Sequence, residues 1–270
     1  MKEEIIFLVE GLADPMRKLN LLREYLQAFV LRSLHESEAF VNLSFVGGTA
    51  LRFLFNLPRF SEDLDFSLET PKGYEPIKWL KKIERDLSMA GFDPTISWND
   101  RKTVHTAWIR IATILNEIGL SNLPKQKLSI KLEIDTNPPA SAELKTLIVN
   151  RHLIFSLRHH DLPSLMAGKI HALISRTYPK GRDWYDLLWY CAQRPAVLPN
   201  LKLLQNALDQ TQGEGKFTAA EWSKNICKRL DTLKSETLKD DVLPFLENPG
   251  EASMLTTENL KSLLQTSASS

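Results

Sequence analysis

Two aspartates stand one residue apart, Asp63 and Asp65, inside the run SEDLDFSL. In an extended strand alternate side chains share a face. Both carboxylates then point one way, while Leu64, Phe66 and Leu68 point the other way, into a core. Two carboxylates at i and i+2 cannot both stay ionised at close range without compensation. A divalent cation compensates them, and an all-oxygen donor set suits Mg²⁺ or Mn²⁺, which often keep substrate phosphates among their ligands. The same stretch opens with FVGGTALRF, where Gly47, Gly48 and Thr49 lead into a short amphipathic helix. Glycines let the backbone approach a phosphate, and a helix N-terminus offers free N–H groups and a favourable dipole. Alone, the first half reads as a tight turn and the second as a solvated strand edge. Joined by one helix, a phosphate cradle and a metal pair point to nucleotidyl transfer.

Transfer of the polymerase type uses a third acid on a neighbouring strand, to help hold metal ions and accept the proton of the attacking hydroxyl. KLEIDT (131–136) places Lys131, Glu133 and Asp135 on one strand face, so Glu133 and Asp135 both qualify. Further on, LPSLMAGKIHALISR sets Lys169 among Leu165, Ile170, Leu173 and Ile174, where a lysine could simply snorkel to solvent, a reading that the downstream RTYPKGRDWYDLLWY weighs against. His171 beside it reads as structural. In RTYPKGRDWYDLLWY, Asp183 and Asp186 share one face of a helix beginning near Arg182, with Trp184, Leu187, Leu188 and Cys191 on the other. Asp183 by itself is an ordinary first-turn acid. Arg151, Arg158, His159, His160, Arg176 and Lys180 could form a basic patch for the phosphates of an RNA acceptor.

The pattern GGT-x₁₃-DLDF resembles motif I of nucleotidyltransferases with the polymerase-β-type fold. More narrowly, FVGGTAL followed by RFSEDLDF resembles the AbiEii/AbiGii-type toxin nucleotidyltransferases, whose pattern is GG[TS]xL…RxSxDLDF, and Arg59 and Ser61 fill its Arg and Ser. Fourteen residues separate Gly48 from Asp63, slightly more than the generic superfamily spacing, which fits the toxin-like branch. The likeness continues through the K-hydrophobic-[DE]-hydrophobic strand, where it favours Glu133, and through helices similar to EKxHAL and RDxYDL. It covers about half the chain. Gly168 departs from the larger residue of many relatives.

The resemblance implies a metal-dependent enzyme that moves NMP from an NTP to a hydroxyl and releases pyrophosphate. Its catalytic set would be Asp63, Asp65, Glu133, Lys169 and Asp183, with Asp63, Asp65 and Glu133 (or Asp135) on the metal. Gly47, Gly48, Thr49, Arg59, Ser61, Lys169, Arg182 and Asp186 would bind nucleotide. It also implies the toxin of a toxin–antitoxin or phage-defence pair. The acceptor would be a tRNA 3′ end or a protein side chain, and the cognate antitoxin, encoded next to it, a winged-helix DNA-binding protein. Two other readings stay open. One is a catalytically idle nucleotide-binding module whose helical half serves as a partner surface. The other is a small-molecule nucleotidyltransferase of the antibiotic-modifying kind.

The elements that must position these residues follow from periodicity. Residues 17–40 carry Leu19, Leu22, Leu26, Val30 and Leu34 at helical steps, widened by Tyr25 and Phe29. Strands are expected at 43–47, 63–68, 104–114 and 128–136, with one or two more within 145–156. Helices are expected at 49–56, 75–90, 162–176, 182–193, 199–210, 218–234 and 254–265, before a fraying TSASS terminus. The fold class is α+β: a mixed-sheet nucleotidyltransferase core over 1–160, then a helical C-terminal half over 161–270 that contributes to the active site. With 34 basic and 33 acidic residues the net charge is +1, so any nucleic-acid partner needs a local patch. Two cysteines outside any Cys/His cluster argue against zinc and against a disulfide framework. The acidic N-terminus and the lack of a long apolar run lead to the expectation of a cytoplasmic protein without membrane contact.

Overall fold

A computed structural model of the chain describes residues 1–267. The chain divides into two compact units. The first comprises Met1–Asn56, Phe60–Pro138 and Lys145–His159; the second comprises Leu57–Arg59, Pro139–Leu144 and His160 onward. Two short segments, Leu57–Arg59 and Pro139–Leu144, count with the second unit although they precede His160 in the chain. Each has a local reason. Arg59 forms an isolated antiparallel bridge with Leu246, and Pro58 O accepts a hydrogen bond from Glu247 N. Ser141 O and Glu143 O accept hydrogen bonds from Asn200 Nδ2 and Asp161 N, both at 2.8 Å.

The first unit contains α1 (Lys2–Glu10), α2 (Pro15–Glu36), α3 (Gly47–Phe55), α4 (Pro76–Met89) and the single turn α5 (Ile114–Glu117). Its strands are β1 (Leu43–Val46), β2 (Leu64–Leu68), β3 (Asp93–Asn99), β4 (Val104–Ala112), β5 (Leu128–Asp135), β6 (Leu144–Arg151) and β7 (Leu153–His160), the end residues of the last two counting with the second unit. They form one mixed sheet in the order β3-β4-β5-β2-β1-β7-β6. β2 runs parallel to β5 and β1 parallel to β7, while β1–β2, β3–β4 and β4–β5 are antiparallel. Alternation assigns the two sheet faces. Leu64, Phe66, Ala107, Ile109, Ile130, Leu132 and Ile134 are buried, on the side where α2 and α4 pack.

α2 is held at its start by Pro15 in the first turn and by Asp14, whose carboxylate accepts Met16 N–H at 2.9 Å. It ends at Glu36, before a short 3₁₀ turn at Ala39–Val41, where a helix to residue 40 was expected. It is also not simply amphipathic: Asn20, Glu24, Gln27 and Ser33 are buried alongside its apolar residues. α1 and β3 had not been anticipated. The 145–156 region resolves into two strands, β6 and β7, divided at His152, whose φ is 62°.

The second unit is built from α6 (Leu162–Ser175), α7 (Gly181–Ala192), α8 (Leu201–Gln212), α9 (Trp222–Leu230), α10 (Ser235–Val242) and α11 (Thr257–Ser267). The expected helix at 218–234 is a 3₁₀ turn at Ala219–Glu221 followed by α9, and α10 follows separately. α11 continues through Thr266 and Ser267, while the remaining expected frayed residues, 268–270, lie outside the described residues. α7 was expected to show one polar face. Instead Asp183, Trp184, Tyr185, Asp186, Leu187, Tyr190 and Cys191 are all buried. A Cβ at Gly181 would collide with Leu238 O, so the start of α7 packs directly on the backbone of α10.

Candidate active site

In the first unit Gly47 and the Asp65 carboxylate meet. Gly47 has φ +78°, a conformation that side chains rarely adopt, and α3 starts there without a side-chain cap. A Cβ at Gly47 would collide with Oδ2 of Asp65, so the Asp65 carboxylate lies against the glycine itself. Asp65 pairs with Val46 across β1 and with Glu133 across β5. Asp65 and Glu133 are therefore neighbours on one face of adjacent parallel strands. Asp135 lies one row further, opposite Ser67, and its Oδ1 accepts Asn137 N–H at 3.0 Å. Lys131 Nζ holds Glu133 at 2.7 Å. Asp63 immediately precedes β2. Among the described residues no three His, Cys, Asp or Glu side chains are gathered as a metal-binding group.

The approach to β2 is clamped from behind. Gln27 on α2, 1% exposed, donates from Nε2 to Ser61 O at 3.1 Å and to Glu62 O at 2.9 Å. The fully buried Thr49 hydroxyl donates to the next carbonyl, Asp63 O. Three consecutive carbonyls before the second aspartate are thus fixed by buried side chains of α2 and α3. Thr49 was expected at the nucleotide; its hydroxyl is engaged on this backbone.

α3 is tied to α2 by charge. Glu24 pairs with Arg52 at 2.5 Å, with Arg151 at 3.0 Å and with His152 Nε2 at 2.8 Å. Burial raises the Glu24 pKa, but the His152 hydrogen bond and the Arg52 charge outweigh it and bring the carboxyl down to about 2. Arg52 also covers the Phe60 ring at 4.4 Å.

The second unit holds the other sequence candidates in one buried ion network. Arg59, 2% exposed, forms a bidentate pair with Asp186, 0% exposed, with both contacts at 2.6 Å. Lys169 Nζ lies 2.9 Å from Asp183 Oδ1 and 2.8 Å from Asp186 Oδ2, and Arg176 pairs with the second oxygen of Asp183. Lys169 therefore does not snorkel outward. Burial disfavours its charge, yet Asp183 and Asp186 more than offset this and raise its pKa. Burial likewise opposes ionisation of Asp183, but Lys169 and Arg176 hold its carboxyl below the ordinary range. Arg182 lies with its guanidinium 4.2 Å from the centre of the Phe245 ring. His171 Nε2 sits 2.9 Å from Thr211 Oγ1, a structural setting.

Four members of the expected basic patch are engaged or buried within their own units. Arg151 is on Glu24, Arg158 Nε donates to Leu43 O at 3.2 Å, and His159 and His160 are buried. Conversely, the Gln27 clamp and the Arg59–Asp186 pairing were not anticipated. A buried polar stripe at Asn20, Glu24 and Gln27, four and three residues apart on α2, is the signal that would have found the first.

The fold has solved counterparts. The fold matches a candidate nucleotidyltransferase from H. pylori with a TM-score of 0.60 at 21% identity, over 92% of this chain and 94% of that one. It also matches JHP933 from Helicobacter pylori with a TM-score of 0.54 at 19% identity, over 93% and 92% of the two chains. At these identities the likeness is one of fold. No curated protein sequence matches the chain. The AbiEii family, described as a nucleotidyl transferase toxin of a type IV TA system, matches residues 29–261. That span takes in the cradle, the carboxylates and the ion network, and the toxin–antitoxin character of the family supplies an antitoxin as partner class. The chain belongs to the AbiEii family of nucleotidyl transferase toxins.

Proposed function

We propose that this nucleotidyltransferase toxin is metal-dependent and moves NMP from an NTP to the hydroxyl of an acceptor, with the tRNA 3′ end as the leading acceptor. The observation that carries this reading is the register of Asp65 with Glu133, with Gly47 backed against the Asp65 carboxylate. Paired carboxylate oxygens fit a hard divalent cation such as Mg²⁺ or Mn²⁺, with substrate phosphates completing the ligands. When bound, the cation would neutralise triphosphate oxygens and favour ionisation of the attacking hydroxyl.

The chain's own residues do the positioning. Asp63, Asp65 and Glu133 hold the cation, with Glu133 favoured over Asp135 because it is the acid beside Asp65. Backbone N–H groups of Gly47, Gly48 and Thr49 cradle phosphate at the start of α3. The acceptor oxygen attacks the α-phosphorus, the bond to the pyrophosphate oxygen breaks, and the hydroxyl proton passes to a carboxylate of this set. On the family likeness, Lys169 of the second unit keeps its assignment to the nucleotide phosphates, Asp183 its catalytic one and Arg182 its nucleotide-binding one. Arg59 and Asp186, locked on each other, serve to hold Lys169 in place through its contact with Asp186. A phage-defence role and an adjacent winged-helix antitoxin follow from the same likeness.

The test is incubation with each radiolabelled NTP, Mg²⁺ or Mn²⁺, total RNA and protein extract. Label is expected in RNA, with pyrophosphate released, and Asp65→Ala should abolish it. A variant that labels as well as the parent would overturn the site assignment. Label in protein alone would overturn the RNA acceptor.

A further inference from the structure

The face of the sheet that carries Asp65 and Glu133 also carries an aromatic side chain that the catalytic set does not use. Trp108 on β4 is directly opposite Lys131 on β5, and Thr106 is opposite Glu133. These residues therefore share the face of the carboxylates. Trp108 is 36% exposed, whereas its strand neighbours Ala107 and Ile109 are fully buried on the core side. Two cations flank its ring: the Arg110 guanidinium 5.6 Å and the Lys131 ammonium 5.8 Å from the centroid. Arg110 is braced by Ser97 Oγ at 2.9 Å, on the strand beyond. Lys127, at the start of the same strand pair, is exposed and touches Thr95 Oγ1 at 3.2 Å.

An exposed indole between cations is the combination that holds single-stranded nucleic acid: a base stacks on the ring and the phosphates meet the charges. We propose that Trp108, Arg110 and Lys131 form a subsite for an unpaired nucleotide of a single-stranded RNA acceptor. Strand spacing and residue rise put Trp108 about 12 Å from Asp65 across the sheet, a span of one to two nucleotides. The charge layout favours the acceptor over the NTP base. Cations at Lys127 and Arg110 occupy the part of the face away from the cradle, and Lys131 stands between the ring and Glu133, so a strand stacked on Trp108 meets positive charge on both sides. This inference rests on the proposed reading of the carboxylate site, since it assigns the polymer to the same sheet face.

Equilibrium binding separates the two. Affinity for a short fluorescein-labelled single-stranded RNA is measured by anisotropy for the parent, Trp108→Ala, Trp108→Phe and Arg110→Gln. Affinity for a non-hydrolysable NTP with Mg²⁺ is measured by calorimetry. Trp108→Ala should weaken RNA binding by roughly 5- to 150-fold, the range for loss of one base–aromatic stack, and Trp108→Phe should restore most of it. Arg110→Gln should reduce the slope of log affinity against log salt by about 0.7, one phosphate contact on a single strand. NTP affinity should stay within twofold throughout. RNA affinity unchanged in Trp108→Ala overturns the subsite. Loss of NTP affinity instead overturns the acceptor assignment and gives the ring to the incoming base. Neither outcome depends on turnover, so failure of Asp65→Ala to abolish labelling would be recognised separately.

Discussion

Gly47→Ala is the sharpest probe of the carboxylate site, because two independent costs converge on one methyl group. The backbone sits at φ +78°, and a left-handed conformation costs an L side chain about 1–2 kcal/mol. The new Cβ would also overlap Asp65 Oδ2, so the carboxylate must move away from the cradle. Clearing the overlap needs a shift on the order of 1 Å, and a misplacement of that size costs about 100-fold in rate. The contrast is Gly168, a helical glycine whose added Cβ would meet nothing within 4 Å. Gly168→Ala should stabilise the protein by about 0.5–1 kcal/mol by removing backbone freedom from the unfolded chain. The assay is kcat for label transfer beside a urea melt of each variant. Gly47→Ala should lose about two orders of magnitude in kcat at a temperature where it is fully folded, with stability lowered by only about 1–2 kcal/mol. Full activity in Gly47→Ala, or a loss explained entirely by its unfolded fraction, would refute the close approach as a catalytic constraint.

Two further outcomes concern the buried charges. Asp186→Ala should destabilise by about 3–5 kcal/mol in a urea melt, because it leaves Arg59 buried without its bidentate partner; a cost under about 1 kcal/mol would show that the pair is readily rehydrated. Glu24 has a folded pKa depressed from 4.5 to about 2, so its contribution is fully present above 4.5 and fades as pH falls through about 2. The stability gap between the parent and Glu24→Gln should therefore shrink by about 3 kcal/mol across that window, and a gap independent of pH would sink the assignment.

What could be read from the chain was mainly what is local in it. The i, i+2 spacing of Asp63 and Asp65 and the Gly-Gly at a helix start are sequence-adjacent facts, although β2 begins only at Leu64 and so carries Asp65 but not Asp63. Glu133 against Asp135 could not be decided that way. Both share a strand face, and only the register of β5 against β2 puts one beside Asp65. Arg59 and Asp186 were each singled out, but their partnership spans 127 residues and is a product of folding. β3 escaped notice because DPTISWN opens with Asp and Pro, which read as a break. α1 is a short helix with one buried side made of Ile5 and Val9. Trp108 looked like any aromatic in an alternating strand until its exposure and flanking cations were known.

The clamp on the carbonyls of residues 61–63 has a consequence for how the protein can be divided. The family match begins at residue 29, whereas Gln27 and Glu24 lie before it. A fragment begun at the edge of the homologous region would keep every motif residue. It would lose the amide that grips Ser61 and Glu62 and the carboxylate that ties α3 to its neighbours. The span of the family match and the span that holds the site together thus have different borders in this chain. The smallest piece that keeps the aspartates in place must include the helix in front of them.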